Sequence, residues 1–282
     1  MEQLTLDKIQ NLKLQAELIR KRTLQIIYAA KAGHTGGSLS AIDVLTALYF
    51  EVLNVDPLRP DWPERDRFVM SKGHSVEALY CVLSARGFFP DALVDTYGQF
   101  NTQLFGHPTR KVPGIELNSG ALGHGLPVAV GMALAARMDK SSSRCYVLMG
   151  DGEQGEGSVY EAAMAAGHYR LNKLTALIDR NHLQISGKTE DVMCLEPMVD
   201  RWKAFGWEVF ETDGNDMAAL LDCLALSARV ENKPSLIISH SIKGKGVSYM
   251  ENVAKWHHGV PSAEQFEQAL KEIDTRIASL TR

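Results

Sequence analysis

The sequence predicts a doubly wound α/β fold, in which helices cover both faces of a mostly parallel sheet. Short apolar strand patterns alternate with longer helical patterns along most of the chain, and this order is typical of that class. Residues 174–181 contain an apolar run of the kind found in buried parallel strands. The length of 282 residues, without a repeat or a change in composition that would mark a linker, favours a single domain over 1–282.

Hydrophobic spacing and turn residues place the elements in order along the chain. Gly33 and Gly87 mark two helix ends, and the prolines of 54–67 mark a surface loop. The predicted helices span 4–32, 41–53, 75–86, 128–138, 158–170, 217–230 and 264–280, with a turn-rich loop at 33–40. The predicted strands span 68–70, 146–149, 174–181, 207–214 and 235–241.

Composition and charge exclude several classes of protein. With 30 Lys and Arg against 34 Asp and Glu, the net charge of −4 argues against a general nucleic-acid binder. No apolar run is long enough for a membrane span, and the N-terminal residues do not follow a signal-peptide pattern. The cysteines, at 81, 145, 194 and 223, form no CxxC pair. Scattered cysteines fit a reducing compartment, so we expect a cytoplasmic protein.

A Gly-Asp-Gly turn follows one predicted strand, and an asparagine ends the next. Gly150, Asp151 and Gly152 come directly after the apolar run, and Asn181 follows the neighbouring run. The carboxyl ends of parallel strands share one edge of a sheet, where ligands bind in open α/β folds. Carboxylate and amide oxygens suit Mg²⁺ or Ca²⁺, and glycine lets a diphosphate approach the backbone. A helix beginning near Ser158 would point its positive end at the same region. A lone Gly-Asp-Gly is also common as an ordinary turn.

The segment 150–187 resembles the thiamine diphosphate signature, and more narrowly it resembles transketolases. Further transketolase-like blocks follow the family's order, at 32–40 (AGHTGGSLS), 71–80 (SKGHSVEALY), 105–109 (FGHPT), 120–135 (GALGHGLPVAVGMALA) and 256–262 (WHHGVPS). The resemblance covers essentially the whole chain. It implies the thiamine diphosphate-binding fold and a transferase that moves a two-carbon ketol group from a ketose phosphate to an aldose. Xylulose 5-phosphate and ribose 5-phosphate, of pentose phosphate metabolism, are the default substrates, and branched or deoxy sugar phosphates are alternatives.

The resemblance also implies which residues hold the metal ion and the cofactor. Asp151, Asn181 and the backbone carbonyl of Leu183 would ligate Mg²⁺, with Ca²⁺ or Mn²⁺ as alternatives. Ile185 would lie against the thiazolium ring of thiamine diphosphate. Asp179 would support the metal site from behind, or is a strand-end carboxylate in solvent. The implied cofactor-binding set is His74, Gly120, Leu122, Gly150, Asp151, Gly152, Glu156, Asn181, Ile185 and His258.

Four histidines match those that line the active-site funnel of transketolases, and they are the candidate catalytic residues. Imidazoles both donate and accept protons near neutral pH, which suits hydroxyl protons that move as a C–C bond breaks. His34 and His258 are expected to transfer protons or to stabilise an oxyanion. His74 and His107 are expected to bind cofactor phosphate or substrate hydroxyls.

Some matched positions leave alternatives open. Ala121 and His124 replace a proline and a glutamine of the family's usual loop, so His124 is either a fifth site histidine or a neighbour of the site. His257 points away from His258 if the segment is extended, and its role stays open. The histidines expected to be structural are His168, His182 and His240.

Two further segments match the family at the edges of the site. Glu156 and Glu161 match glutamates at a dimer interface between two copies of the chain, although a helix dipole also favours acidic residues there. Residues 243–246 (KGKG) resemble a flexible loop over the site, or are a solvated basic turn.

In transketolases the glutamate that activates the aminopyrimidine ring lies on a pyrimidine-binding domain that follows this one. Residues 1–282 contain no match to that domain or to the C-terminal domain, so both are expected on a partner chain. We therefore expect the N-terminal subunit of a split transketolase, acting as a heterotetramer on a sugar phosphate. The alternatives are a component of a 2-oxo acid dehydrogenase, a deoxyxylulose phosphate synthase-like enzyme, and a non-catalytic cofactor-binding scaffold.

Overall fold

A five-stranded parallel sheet forms the centre of the computed structural model, which describes residues 5–281. Its strands are β1 (Arg67–Met70), β2 (Cys145–Gly150), β3 (Leu174–Arg180), β6 (Glu208–Asp213) and β7 (Ser235–His240). A separate antiparallel hairpin contains β4 (Leu183–Gln184) and β5 (Gly187–Lys188). The strand order across the sheet is β1-β2-β3-β7-β6, and every neighbouring pair is parallel.

Helices cover both faces of the sheet, which confirms the predicted doubly wound α/β class. The helices are α1 (Leu6–Ala30), α2 (Thr35–Ala47), α3 (Val76–Arg86), α4 (Asp91–Val94), α5 (Gly125–Met138), α6 (Gly157–His168), α7 (Thr189–Val192), α8 (Met198–Ala204), α9 (Met217–Ala228) and α10 (Ala263–Leu280). One core joins the sheet to α1, α2, α3, α9 and α10. The other core joins it to α5, α6 and α8. Residue 4 of the predicted first helix lies outside the described residues.

The two cores follow from the alternation of side chains along each strand. Met70 and Leu148 belong to the core on the α2 side, whereas Val69, Val147 and Met149 belong to the core on the α5 side. A parallel strand covered on both faces needs apolar residues at nearly every position. This requirement explains why the sheet strands are continuous apolar runs in the sequence.

The predicted loop at 33–40 is wrong, because α2 begins at Thr35. Every residue of this helix is buried. A methyl group at Gly36 would lie 2.8 Å from the carbonyl oxygen of Trp256, and one at Gly37 would lie 2.8 Å from Oγ of Ser75. The glycines therefore allow the helix to lie close to its neighbours. The same Gly-rich composition in an exposed segment would indicate a turn.

The sheet register brings the predicted site residues together at one edge. Gly150, the last residue of β2, pairs with Asp179 of β3, and Arg180 pairs with His240 of β7. The residues that follow these strands, Asp151 and Asn181, therefore leave the sheet side by side. No helix formed by residues 5–281 is both long and apolar enough to cross a membrane.

Two helical glycines give a test of close helix approach. A methyl group at Gly167 in α6 would lie 1.9 Å from the carbonyl oxygen of Phe205, whereas one at Gly131 in α5 would meet nothing within 4 Å. We expect Gly167→Ala to lower the free energy of unfolding by about 1–3 kcal/mol, because backbone atoms must move. Gly131→Ala should raise it by about 0.5–1 kcal/mol. Urea unfolding of both variants measures the difference, and equal stabilities would contradict the close contact at Gly167.

Candidate functional site

A cavity of about 430 Å³ opens at the carboxyl ends of the parallel strands. The cofactor-binding set implied by the resemblance lines it, except for His258, and His34 and Leu183 line it as well. The lining also includes residues outside the predicted set, namely Gly37, Lys72, Glu153, Gln184, Lys243 and His257. Segments that are distant in the sequence thus meet in one polar cavity, as the position of the strand ends predicts.

The buried carboxylate of Asp151 lies at the end of β2. Its Oδ1 accepts a hydrogen bond from the backbone of Gly152 at 2.8 Å, and its Oδ2 accepts one from the backbone of His182 at 2.6 Å. Arg180 lies 3.4 Å from Oδ2. Burial and the nearby charge of Asp179 raise the pKa of Asp151 despite these partners. The hydrogen bonds therefore fix the orientation of a carboxylate whose oxygens could bind a cation.

The other two predicted metal ligands lie beside Asp151. Nδ2 of Asn181 donates to Asp179 at 3.2 Å, and Oδ1 at the other end of the amide accepts from the backbone N–H of Leu183 at 3.2 Å. The backbone carbonyl of Leu183 accepts from Nζ of Lys243 at 2.9 Å. Residues 5–281 bring no three His, Cys, Asp or Glu side chains into a metal-binding arrangement. A cation here would rest on this mixed set of carboxylate, amide and carbonyl oxygens, which is the hard-oxygen chemistry that suits Mg²⁺.

Asp179 supports the site from beneath and is not exposed to solvent, being 1% exposed. It accepts hydrogen bonds from Lys72, Ser241 and Asn181, and from Ser40 at 2.6 Å. Burial opposes ionisation of this carboxyl, but the charge and hydrogen bonds of Lys72 outweigh burial and hold the pKa of Asp179 below its usual value. The expectation of a solvated strand-end carboxylate is wrong.

Two buried lysines point into the cavity. Lys72 is 1% exposed and donates to Asp179 and, at 3.0 Å, to the carbonyl oxygen of Gly37. Lys243 is 2% exposed, and its Nζ lies 3.0 Å from Nδ1 of His257. Burial and the charge of Lys72 lower the pKa of Lys243 to about 8. Sequence reasoning missed Lys72, although its place directly after β1 gave the same signal that identified Asp151.

The segment 243–246 is anchored from behind. Arg20, buried on α1, donates to the carbonyl oxygen of Lys245 at 3.2 Å and to Asp43 at 2.9 Å. Arg276 of α10 donates to the carbonyl oxygen of Gly246 at 2.6 Å. The interpretation of this segment as a solvated basic turn is therefore wrong for Lys243.

Five histidine rings cluster on one side of the cavity. The ring centroid of His34 lies 4.7 Å from that of His258, 5.2 Å from His74 and 6.1 Å from His107. His257 stacks on His74 at 5.1 Å. Residues 254–258 form a 3-10 helix and are not extended, so the condition under which His257 would point away from His258 is not met.

Burial and nearby positive charges keep three of these imidazoles neutral, those of His34, His74 and His257. Burial and the charges of His258, His107 and the two lysines lower the pKa of His34 to about 4. Burial and Lys243 lower the pKa of His257 to about 3. Burial and Lys72 hold the pKa of His74 well below its usual value. Nδ1 of His34 has no hydrogen-bond partner among residues 5–281, so it has unused capacity to bind a ligand.

The remaining matched residues lie at or beyond the rim. The N-cap residue of α6, Glu156, lines the cavity, whereas Glu161 lies on the exposed surface of α6. His124 is exposed at the start of α5, with Nδ1 3.0 Å from the carbonyl oxygen of Leu122, and it does not line the cavity. The three histidines expected to be structural also lie outside the lining: His168, His182 and His240.

Glu153 is a buried acid that sequence reasoning missed, as it missed Lys72. Its carboxylate accepts hydrogen bonds from the Ser71 hydroxyl and from the backbone of Gly123 at 2.8 Å and Gly150 at 3.0 Å. It therefore joins the turn after β2 to the glycine-rich loop at 120–125. Its only signal in the sequence was its position next to the Gly-Asp-Gly turn. Nothing else there distinguishes it from a glutamate on the protein surface.

The lowered histidine pKa values predict loss of stability in acid. Between about pH 6.5 and pH 4 the unfolded chain binds protons at these histidines that the folded chain does not, so the free energy of unfolding falls as the pH falls. We expect His34→Gln to reduce this fall when urea midpoints are compared at about pH 7.5 and about pH 5. The exposed His168 provides the control variant His168→Gln. An unchanged pH dependence in His34→Gln would contradict the prediction.

Comparison with known proteins places this chain in a family. Residues 12–274 match the family described as "Transketolase, thiamine diphosphate binding domain". The chain is 58% identical over 275 residues to a subunit of the apulose-4-phosphate transketolase of Phocaeicola vulgatus, over 98% of each chain. It is 44% identical over 265 residues to 6-deoxy-6-sulfo-D-fructose transketolase subunit SqwG of Clostridium sp., over 94% of this chain and 96% of the relative.

A solved transketolase structure shares the fold. The transketolase from Leishmania mexicana aligns with a TM-score of 0.84 at 28% identity, over 96% of this chain and 45% of that chain. The present chain thus spans less than half the length of that enzyme, while it spans nearly all of the relatives named as subunits. The chain belongs to the transketolase family and contains the thiamine diphosphate-binding domain of that family.

Proposed function

We propose that this chain is the diphosphate-binding subunit of a split transketolase, a transferase that moves a two-carbon ketol group from a ketose phosphate to an aldose. The observation that carries the proposal is the single cavity into which hard oxygen donors and neutral imidazoles both open. Residues 1–282 form one domain in this proposal, and the pyrimidine-binding and C-terminal domains belong to a partner chain. Family membership and the histidine-bearing loops favour this function over the dehydrogenase, synthase-like and scaffold alternatives.

The cavity fits thiamine diphosphate with a divalent cation. Asp151, Asn181 and the carbonyl oxygen of Leu183 would hold Mg²⁺, or Ca²⁺ or Mn²⁺ in its place. Lys72 and Lys243 are desolvated cations in the same cavity, so they offset the negative charge of a diphosphate strongly. When bound, thiamine diphosphate supplies the nucleophilic carbon and the electron sink for breaking a C–C bond beside a ketose carbonyl.

The histidine cluster supplies the proton-handling groups in this proposal. His34 is neutral at physiological pH, so it accepts a proton or a hydrogen bond from a sugar hydroxyl without first losing its own proton. His258 lies next to it and shares the transfer role. His74 lines the cavity among the cofactor-binding residues. His107 is exposed and does not line the cavity, but its ring centroid lies 6.1 Å from that of His34, and there it would bind a substrate hydroxyl.

A partner chain completes the site in this proposal. Ile185 lines the cavity and yet is 70% exposed, which leaves an apolar side chain beside a polar cavity for the cofactor and a partner to cover. Several relatives of similar length are named as one subunit of their enzyme, which implies a second kind of chain. We assign the partner the pyrimidine-binding domain with its activating glutamate. Glu156 and Glu161 would lie between two copies of this chain in a cytoplasmic heterotetramer.

The substrate in this proposal is a sugar with an anionic group. The 58% identical relative is named for apulose 4-phosphate, and the 44% identical relative for 6-deoxy-6-sulfo-D-fructose. Apulose 4-phosphate is therefore the first donor to test, ahead of xylulose 5-phosphate from pentose phosphate metabolism.

We expect turnover only when this chain is mixed with a second chain that carries the pyrimidine-binding domain. The measurement is ketol transfer with thiamine diphosphate and Mg²⁺, by this chain alone and with the product of the adjacent gene. Activity of the chain alone would contradict the split-enzyme proposal. A mixture that binds the cofactor and stays inactive with every sugar phosphate tried would contradict the proposed reaction.

Asp151→Ala tests the metal assignment. We expect Mg²⁺-dependent binding of thiamine diphosphate to weaken by more than about 100-fold, since loss of even an outer partner of a metal ligand costs about 10–100-fold. Titration calorimetry on the partnered complex measures this affinity. Asp213→Ala is the matched control, because Asp213 ends a strand at the same sheet edge and lies outside the cavity lining. Unchanged affinity in a folded Asp151→Ala variant would rule out the assignment.

A further inference from the structure

Glu77 is a buried acid directly behind the histidine cluster. It lies in the first turn of α3, within the block at 71–80, and is 0% exposed. Among residues 5–281, no Lys or Arg forms an ion pair with it. Burial raises the pKa of Glu77 against the opposing effect of its hydrogen bonds. A carboxylate that is buried without a neighbouring cation needs hydrogen-bond donors around it.

The partners of Glu77 hold the segment that carries His34. Oε1 accepts the backbone N–H of His34 at 3.0 Å, and Oε2 accepts the hydroxyl of Ser38 at 2.8 Å. His34 is the N-cap residue of α2, and its side chain makes no capping hydrogen bond. The carboxylate of Glu77 therefore stabilises the positive end of α2 in place of a local cap.

Gly33 provides the space for this carboxylate. Its φ is +154°, and a methyl group there would lie 2.9 Å from Oε1 of Glu77. The backbone of Gly33 thus lies so close to the Glu77 carboxylate that only a residue without a side chain fits there. A side chain at position 33 would collide with this carboxylate and with Ile27.

The same face of α3 also holds the segment that carries His107. This segment spans residues 97–107. At its start, the hydroxyl of Tyr97 donates to Oε1 of Glu77 at 2.7 Å. One turn further along α3, the hydroxyl of Tyr80 lies 2.9 Å from the carbonyl oxygen of Phe105 and 3.1 Å from that of His107. Helix α3 therefore contacts the backbones of both histidines, whose ring centroids lie 6.1 Å apart.

We infer that Glu77 is a positioning residue for the ketol transfer, and that it sets the separation of His34 and His107 through hydrogen bonds to both segments. The expected effect on turnover rests on the proposed function. The placement of the two histidine rings rests only on the hydrogen bonds. Displacements of about 1 Å in reacting groups cost up to about 100-fold in rate. A buried hydrogen-bonded acid that fixes two such groups therefore affects turnover without touching the substrate.

The test compares two isosteric substitutions of buried acids. Glu77→Gln keeps the side-chain size but leaves one acceptor oxygen where there were two. The NH₂ group then faces either the hydroxyl of Ser38 or the two donors of His34 and Tyr97. Glu116→Gln is the matched control, because Glu116 is also largely buried but accepts from Arg65, at 2.8 and 3.0 Å, and does not line the cavity. Both changes remove one carboxylate, so general effects on stability appear in both variants.

The first measurement is the set of imidazole NMR resonances of the isolated chain. Resonances of His34 and His107 are assigned by their loss in His34→Gln and His107→Gln. We expect both to move in Glu77→Gln and neither to move in Glu116→Gln. This measurement needs no turnover, so it decides the positioning of the rings even if the proposed reaction fails.

The second measurement is turnover of the partnered enzyme. We expect Glu77→Gln to lower kcat by about tenfold while the affinity for thiamine diphosphate stays within about twofold, because the cofactor contacts lie elsewhere. Glu116→Gln should keep the wild-type kcat. If Glu77→Gln fails to fold, Tyr97→Phe removes one donor and should still move the His107 resonance and lower kcat by about threefold. Unmoved resonances and wild-type kcat in a folded variant would overturn the inference.

Discussion

The buried ion pair between Lys72 and Asp179 is the interaction on which the rest of the site depends. Its carboxylate also accepts from Ser40 of α2, Ser241 after β7 and Asn181 after β3, so one acid ties the β1 loop, a helix and two strands together at the sheet edge. Removing one partner of such a pair leaves an uncompensated buried charge, which typically costs about 3–5 kcal/mol. The arrangement thus gives little net stability but enforces one geometry, and that geometry orients the asparagine amide at the proposed cation site.

The electrostatics of the cavity follow from burial more than from any one contact. Desolvation works against every charge placed there, so the imidazoles of His34 and His257 stay neutral and the ammonium of Lys243 loses part of its basicity. The remaining positive groups are those with a fixed acceptor, such as Lys72 with Asp179. In such a cavity, cations fixed by their acceptors attract an anion, while neutral imidazoles can still accept protons. Exposed side chains would not combine these two properties.

Strand ends were predictable from the sequence because their signal is local. The apolar run, the glycine turn and the acid stand next to one another, and the parallel register then brings Asp151 and Asn181 together. The start of α2, the orientation of His257 and the role of Glu77 were not predictable, because each depends on contacts across the fold. Gly36 indicates a turn until Trp256 is known to lie against it. The transketolase resemblance supplied the expected residue roles, which spacing alone left open.

The arginine contacts behind residues 243–246 have a consequence for how the protein is made. Arg20 comes from the first helix and Arg276 from the last described one, and the two also meet through Glu17, which accepts from Arg20 at 3.3 Å and from Arg276 at 3.0 Å. The wall of the cavity that carries Lys243 is therefore supported by helices from opposite ends of the fold. During synthesis the ribosome releases α10 after every strand of the sheet, so this support of the cavity wall is made after the strands whose ends form the cavity.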